Sequence, residues 1–467
     1  MLNALKTIFH GERYESPDAV PRKLLHEIAS IPRLTGILPY LGWLPEENLF
    51  VLDHGAFGKA SAQSLAFCIE TRAQTGASEE MERVLASLFM SCPPGTGIQV
   101  SLYASPHILP VLKEQANRLP LDDAAPGRFL GENTERNHNI FRVLGRRRID
   151  HYLQGISRSL FSHHVYLLRH FRCVISISTA LDPAIPGDVE EALRLRESAH
   201  ATLRSAHLPG QDWQADDLLN FVADFFDHER VFGRHGSPHI DYDPARPLRA
   251  QLSNPEIAAS LADSFIKFRK AGGEETALQC FSVRQYPKRY RLGSMGSLIG
   301  DYYQMALSIP CPFLITLGAI ILDYESARER AQLKAARATQ AAGSYMAHFQ
   351  PDLQERKRDW DMVLRAFDNG RNVLQMYHQI ILLSRMENIA RCEHAVRAVW
   401  RARGFDLAKD VYLGHQALVA ALPGTLSPGL QEDLRRFGRT GTKTTDNAVM
   451  MAPLIAEWQG TVFSNMV

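Results

Sequence analysis

Short apolar runs rich in β-branched and aromatic residues alternate with amphipathic stretches along all 467 residues, which predicts mixed strand and helix units of the α/β (α+β) class. "NLFVLD" (Asn48 to Asp53) and "SLAFCIE" (Ser64 to Glu70) flank a glycine-bearing connection and predict a hairpin. "SEEMERVLASLFMS" follows with helical spacing, with Ser78 and the acidic residues after it as the start signal; "GIQVSLYAS" then reads as strand. "FRVLGRRRIDHYLQG" opens a helical region, "HVYLLRHFRCVISIS" is a strand candidate, and helices are expected around Val189 to Ala206 and Asp216 to Phe226.

Farther along, "CFSVRQYP" predicts strand, "GSLIGDYYQMAL" helix and "PFLITLGAIIL" strand. Two long polar helices, about Tyr324 to Phe349 and Asp352 to Asn369, are rich in Arg, Lys, Glu and Ala and predict an antiparallel hairpin that could project. "NVLQMYHQIILLSR" returns to strand and a helix covers Met386 to Arg403. In two places a strand leads to a long helix, a glycine-containing link and a second helix: after "VISIS", and again through "GFDLAKDVYLGHQALVAAL". An internal pseudo-repeat follows from that order. The loop "GRHGSPHIDYDPARP" marks the middle boundary, which divides the chain into an N-terminal segment (1–37), two α/β subdomains (38–235 and 236–425, the second with the helical pair) and a linker region (426–467).

Composition changes this picture little. The 45% apolar and 22% charged content is ordinary for a soluble globular chain, and a net charge of +1 gives no global reason to bind nucleic acid or membrane. Six cysteines lie far apart with no C-x-x-C pair, which suggests neither a disulfide framework nor a zinc knuckle. The N-terminus lacks the apolar core of a secretory signal, and Leu2, Leu5, Ile8 and Phe9 read as one face of a short packed helix. The longest uncharged run, Met305 to Leu322, is split by Pro310 and Pro312 and reads as a buried strand rather than a span.

Candidate chemistry is a set of near misses. "PPGTGIQV" (93–100) imitates a phosphate-gripping loop, but Ile98 stands where a lysine must reach the phosphates, so a turn and strand are expected. "FGRTGTKTTDN" has the wrong spacing and reads as a polar loop; "GKA" at Gly58 lacks the required glycine and hydroxyl. "AIILDYE" resembles a strand ending in a magnesium-binding acid, yet Asp323 is better placed to cap the following helix. Asp224, His228, His235, His239 and Asp241 have metal-like composition, although helix ends and polar loops collect the same residue types. His163 and His164 have no nucleophile partner at a meaningful spacing, and Arg146, Arg147 and Arg148 read as a solvated helix face. No catalytic, cofactor-binding or metal residue is assigned.

Taken in order, "LPYLGWLPEENLFVLDHGAFG", "CIETRAQTGASEEMERVLASLFMSCPPGTGIQVSLYASP", "YDPARPLRAQL", "RQYPKRYRLGSMGSLIGDYY" and "FGRTGTKTTDNAVMMAPLIAEWQGT" resemble the N-terminal region of the TraC family, the conjugative type IV secretion ATPases of F-like transfer systems. The likeness runs from about Leu38 to Thr461. In that family the phosphate loop, acidic strand and arginine finger lie in a RecA-like motor domain beyond this region. The resemblance therefore implies an adaptor and oligomerisation region, involved in pilus assembly and DNA transfer. It would be cytoplasmic, peripheral to the inner membrane, self-associating and in contact with membrane and channel components. ATP and magnesium would belong to the motor, no cofactor to this chain, and this chain alone would be inactive in ATP hydrolysis. Direct nucleic-acid binding is not expected. Two rival readings, a metal-dependent hydrolase built on the Asp224 to Asp241 cluster and a basic nucleic-acid-binding module built on Arg146 to Arg148, stand beside it.

Overall fold

The computed structural model describes residues 34–53, 63–112, 140–160, 167–232, 239–252, 254, 256–262, 264–270, 273–301, 304, 307–350 and 352–457. Its strands are β1 (Tyr40–Leu44), β2 (Leu49–Asp53), β3 (Gln63–Arg72), β4 (Gly97–Ser105), β5 (His170–Ser178), β6 (Gly210–Asp212), β7 (Ile257–Leu261), β8 (Ile266–Lys270), β9 (Thr276–Gln285), β10 (Phe313–Ile321), β11 (Val373–Arg385), β12 (Asp406–Lys409) and β13 (Gly441–Thr444). All thirteen join one sheet in the order β1-β2-β3-β5-β4-β10-β11-β9-β8-β7, with β6 on β3, β12 on β9 and β13 on β11. β4 and β10, the middle pair, are buried at every residue, which explains their mostly apolar sequences, broken by Gln99, Ser101 and Ser105 in β4 and by Thr316 in β10. The edge strand β7 is short and mostly exposed, as an edge that avoids further pairing should be.

The order is a palindrome. β1-β2-β3-β5-β4 meets β10-β11-β9-β8-β7 at a seam where Ser101 faces Thr316 and their hydroxyls lie 3.2 Å apart. The registers repeat residue for residue about that point. Ser101 pairs with Val174 as Thr316 pairs with Gln379. Cys68 pairs with Ser176 as Cys280 pairs with Ile381, and Phe50 with Ala66 as Ile266 with Leu278. Even the first hydrogen bond after the short flanking strands recurs, from Trp213 N to Cys68 O (2.9 Å) and from Asp410 N to Cys280 O (3.0 Å). The pseudo-repeat read from the sequence is therefore a two-fold duplication whose halves share one sheet.

Helices cover both faces. One face carries Glu79–Ser91, Pro186–Ser205, Ile389–Ala402 and Thr445–Met450; the other carries Ala215–Ala223, Gly414–Ala421 and Pro428–Arg436. Ser78 starts the first of these by accepting from Met81 N at 3.1 Å, the cap that its position predicted. Asp323 likewise accepts from Ser326 N at 3.0 Å and caps the helix Tyr324–Ala342. That helix and Asp352–Asp368 form the expected antiparallel pair, inserted between β10 and β11 and sealed at its base by Ala327, Ala331, Phe367 and Val373.

Two expectations change. "GSLIGDYYQMAL" is not an α-helix: a 3₁₀ helix covers Leu292–Leu298, and Gly300, at φ +132°, turns the chain into a bridge with Ser308. "FGRTGTKTTDN" is not simply a polar loop, because Gly441–Thr444 adds a strand to β11 and Thr444 caps the next helix. The run from Met305 enters β10, and among the described residues no helix is long and apolar enough to cross a membrane. Leu2, Leu5, Ile8, Phe9, Gly58, His163, His164 and His235 lie outside the described residues.

One buried loop locks the seam. After the helix Gly414–Ala421 the chain runs through Leu422 to Leu426 against the middle strands, almost wholly out of solvent. Gln99 of β4 donates to the carbonyls of Ala420 and Leu422, both at 2.9 Å, and accepts from Leu426 N at 3.3 Å. Thr316 donates to Ala421 O (2.8 Å), Tyr377 to Ala420 O (2.7 Å) and Gln379 to Ala417 O (2.9 Å). Ser176 and Ser178 hold Gly424 N and Leu426 O, each at 2.7 Å. Replacing Gln99 by Leu leaves the Leu426 N–H buried without its acceptor, while Ala420 O keeps Tyr377 and Leu422 O keeps Thr425 as donors. The expected loss is about 1–3 kcal/mol, the cost of one unsatisfied buried group, read as a lower urea midpoint with an unchanged m-value. Stability equal to that of the unaltered chain would mean that the loop is held by packing alone.

Candidate functional site

The first question is whether the phosphate-loop imitations have free amides. They do not. Gly95, at φ +85°, donates its N–H to Ile321 O (2.9 Å), and Thr96 donates to Pro93 O (3.2 Å) and accepts from Ile321 N. Gln431 covers Gly95 O at 2.8 Å, and Ile98 is fully buried in the sheet. Lys443 lies over the Tyr286 ring at 4.6 Å, where burial lowers its pKa. Both segments are committed to the sheet.

A large concavity lies elsewhere, at the end of the central strands where β4 and β11 finish and β5 and β10 begin. It encloses about 1680 Å³. Its walls come from both halves of the duplication: Ser105 to His107 after β4, Arg169 to Arg172 at the start of β5, Pro310 to Pro312 before β10, and Ser384 to Cys392 after β11. The end of the helix Ile140–Gln154 and the turn beyond it add Leu153, Ile156 and Arg158. The wall carries many guanidinium groups, and local chemistry tells them apart.

Arg172 grips Glu70 with two bonds, 2.8 and 2.6 Å, while Trp213 donates to the same carboxylate at 2.7 Å. Burial alone would raise the Glu70 pKa, but these partners hold it below the ordinary range. Asp224 is buried and central: Arg230 Nε lies 3.2 Å away, His107 Nε2 2.8 Å and Tyr103 OH 3.2 Å. Tyr103 therefore titrates far above its usual value, through burial and then the Asp224 charge. His170 is driven down to about 4 by burial and by Arg172, so it is neutral at physiological pH.

Arg169 differs from its neighbours. One terminal nitrogen donates to the backbone carbonyls of Ile156 (2.9 Å) and Leu168 (2.8 Å), but its Nε is buried without a partner, and burial lowers its pKa to about 10. Beside it are Cys311 and Cys392, two buried thiols in hydrogen-bonding contact. That contact lowers the Cys392 pKa, with help from Arg391 and Arg169, whereas burial raises that of Cys311. Of the wall residues only Asp224 and His239 stood out in the sequence, as part of the metal-like set; "LLRHFRC" passes as the entrance to an apolar strand, and the available signal was charge recurring inside it.

The metal-like cluster is split by the fold. Asp224 faces the concavity, whereas His228 turns into the core, bonded through Nδ1 to Thr276 Oγ1 at 2.7 Å and packed on Phe268 at 4.3 Å between ring centres. His239 and Asp241 remain together at 3.6 Å, joined by Asp216, which the sequence had not singled out. Asp216 also accepts from Tyr242 N at 2.6 Å, which fixes the loop. Arg146, Arg147 and Arg148 lie exposed on their helix, as predicted.

The helical pair presents a different surface. Leu333, Phe349 and Met362 are each more than 60% exposed, and Tyr345, also exposed, packs its ring against Phe349. These apolar groups lie away from the base cluster that anchors the pair to the sheet.

Comparison with known proteins places these features in context. A family model described as TraC protein matches residues 34–426. Protein TraC of Escherichia coli (strain K12) is 20% identical, over 97% of this chain and 50% of that protein, so the chain spans about half the length of the curated relative it matches.

Two stability effects follow from this geometry. Asp224→Asn leaves buried Arg230 without its counter-charge and is expected to destabilise by about 3–5 kcal/mol in urea titration, whereas a cost under about 1 kcal/mol would mean that Arg230 finds another partner. His228, held down to about 3 chiefly by burial, stays neutral when folded while the unfolded chain protonates near pH 6.5. Its contribution is therefore complete above about pH 6.5 and drains away as pH falls toward 3. Between pH 7 and 5, His228→Asn is expected to lose about 2 kcal/mol less stability than the unaltered chain. Equal losses would show a protonated or unburied ring.

Proposed function

The chain belongs to the TraC family of conjugative transfer proteins, and from that premise we propose that it is the adaptor and oligomerisation region of a conjugative type IV secretion ATPase. On this reading it docks a motor at the cytoplasmic face of the inner membrane and serves pilus assembly and DNA transfer. The observation that carries the reading is the helical pair Tyr324–Ala342 and Asp352–Asp368 with its connection, which exposes Leu333 and Met362 on the helices and Phe349 between them. Large apolar side chains kept in water beyond a sealed base are a contact surface for another protein.

The phosphate-loop imitations support the same division of labour. The amides of Gly95 and Thr96 are spent on neighbouring carbonyls and Ile98 is buried in the sheet, so we assign ATP turnover to another part of the whole protein, as the greater length of the E. coli relative allows. The metal-hydrolase reading loses its proposed ligand set, since His228 is bonded to Thr276 and turned from Asp241.

Conjugation tests the reading directly. Donor cells carrying Phe349→Ser with Met362→Ser in the complete protein are expected to transfer DNA at least about tenfold less often, consistent with losing a hot spot of about 2 kcal/mol. Protein abundance and melting temperature should stay unchanged because both side chains are exposed. Normal transfer and normal recovery with the membrane fraction would remove the hairpin from the docking role.

A further inference from the structure

We infer that the concavity at the seam of the two half-sheets is an anion-binding site, for a ligand bearing a multiply charged oxyanion of the phosphate class. Charge carries the argument. Of the guanidinium groups on its wall, Arg172 is neutralised by Glu70, Arg230 by Asp224, and Arg385 by Glu274 at 2.9 Å. Arg158, Arg169 and Arg391 have no carboxylate partner among the described residues: Arg158 bonds to Gln154, Arg169 only to backbone carbonyls, and Arg391 stands exposed at the start of its helix. Three positive charges therefore share one concavity with no counter-ion of their own among the described residues.

The state of Arg169 makes that excess more than a surface accident. Arg169 is half-buried, but its Nε is shut off from water with no partner, which is costly unless something accepts from it, and a planar fork suits two oxygens of one phosphate group. Arg169 and Arg391 line the same concavity together with Cys311 and Cys392. The space, about 1680 Å³, is ample for a phosphorylated small molecule or a headgroup. Phosphate is preferred over a single carboxylate because it delivers two negative charges within one compact group. This site stands apart from the helical pair, so its fate is independent of the adaptor reading.

Calorimetric titration of the full chain with inorganic pyrophosphate at low salt tests the site. One saturable event is expected, weakened at least about tenfold by Arg391→Gln, the loss of one charge-assisted hydrogen bond. Arg169→Gln should weaken it further, while Arg146→Gln, on the outer helix, should leave it unchanged. Arg391 is exposed, so that variant stays informative if Arg169→Gln fails to fold. Sedimentation with phosphatidylcholine vesicles, with and without phosphatidic acid, separates two sources of the phosphate. Vesicle binding that pyrophosphate displaces assigns a lipid headgroup, and pyrophosphate binding without vesicle binding assigns a soluble phosphate compound. No saturable binding by the unaltered chain, or an affinity that Arg391→Gln leaves intact, overturns the site.

Discussion

The structure depends on satisfying a stretch of backbone that has been taken almost wholly out of water. The end of the helix Gly414–Ala421 and the loop behind it lie on the middle strands, where unpaired carbonyls would be ruinous. The cure is a set of polar side chains planted in strands that are otherwise apolar: Gln99, Ser176 and Ser178 from one half-sheet, Thr316, Tyr377 and Gln379 from the other. Because the donors come from both halves, the loop does for the seam what a rivet does for two plates. It also breaks the two-fold relation, since one such loop occupies a place near the axis where symmetry would ask for two.

The duplication accounts for the placement of both surfaces. Each half inserts a segment between its two innermost strands, between β4 and β5 in the first and between β10 and β11 in the second. The two-fold relation sends these inserts to opposite ends of the same strands. One contributes the wall with Arg158 to the basic concavity; the other is the helical pair. A common frame thus carries two unlike attachments, and each diverged without disturbing the pairing beneath it. Membership of the TraC family extends over both halves, since the family match runs from residue 34 to 426.

Much of this was legible in the chain itself. β4 and β10 announced themselves because strands buried on both faces are dominated by apolar and β-branched residues and carry no charge, and the helix beginning after Ser78 carried its own start signal. The repeat could be sensed in the order of strand, helix, link and helix, but not its symmetry, because pairing between strands hundreds of residues apart leaves no local trace. β6, β12 and β13 are three or four residues long and polar, and their partners alone make them strands. The stretch around Gly293, Gly296 and Gly300 carried apolar spacing suggestive of a helix, yet its glycines favoured a tighter turn and a left-handed residue. Arg169 was hidden for a different reason: an arginine at a strand entrance looks the same in sequence whether it meets a carboxylate or an empty space.

The continuous antiparallel ladder has a mechanical meaning as well. The helical pair is attached where β10 ends and β11 begins, and the basic concavity lies at the far ends of those same strands. A pull between the two would run parallel to the strands, so the inter-strand hydrogen bonds of β4, β10 and β11 would be loaded together in shear rather than peeled one at a time. A close-packed sheet with its seam riveted yields little under such a load. Whatever grips the apolar hairpin at one end and the cationic hollow at the other would be coupled through a stiff beam.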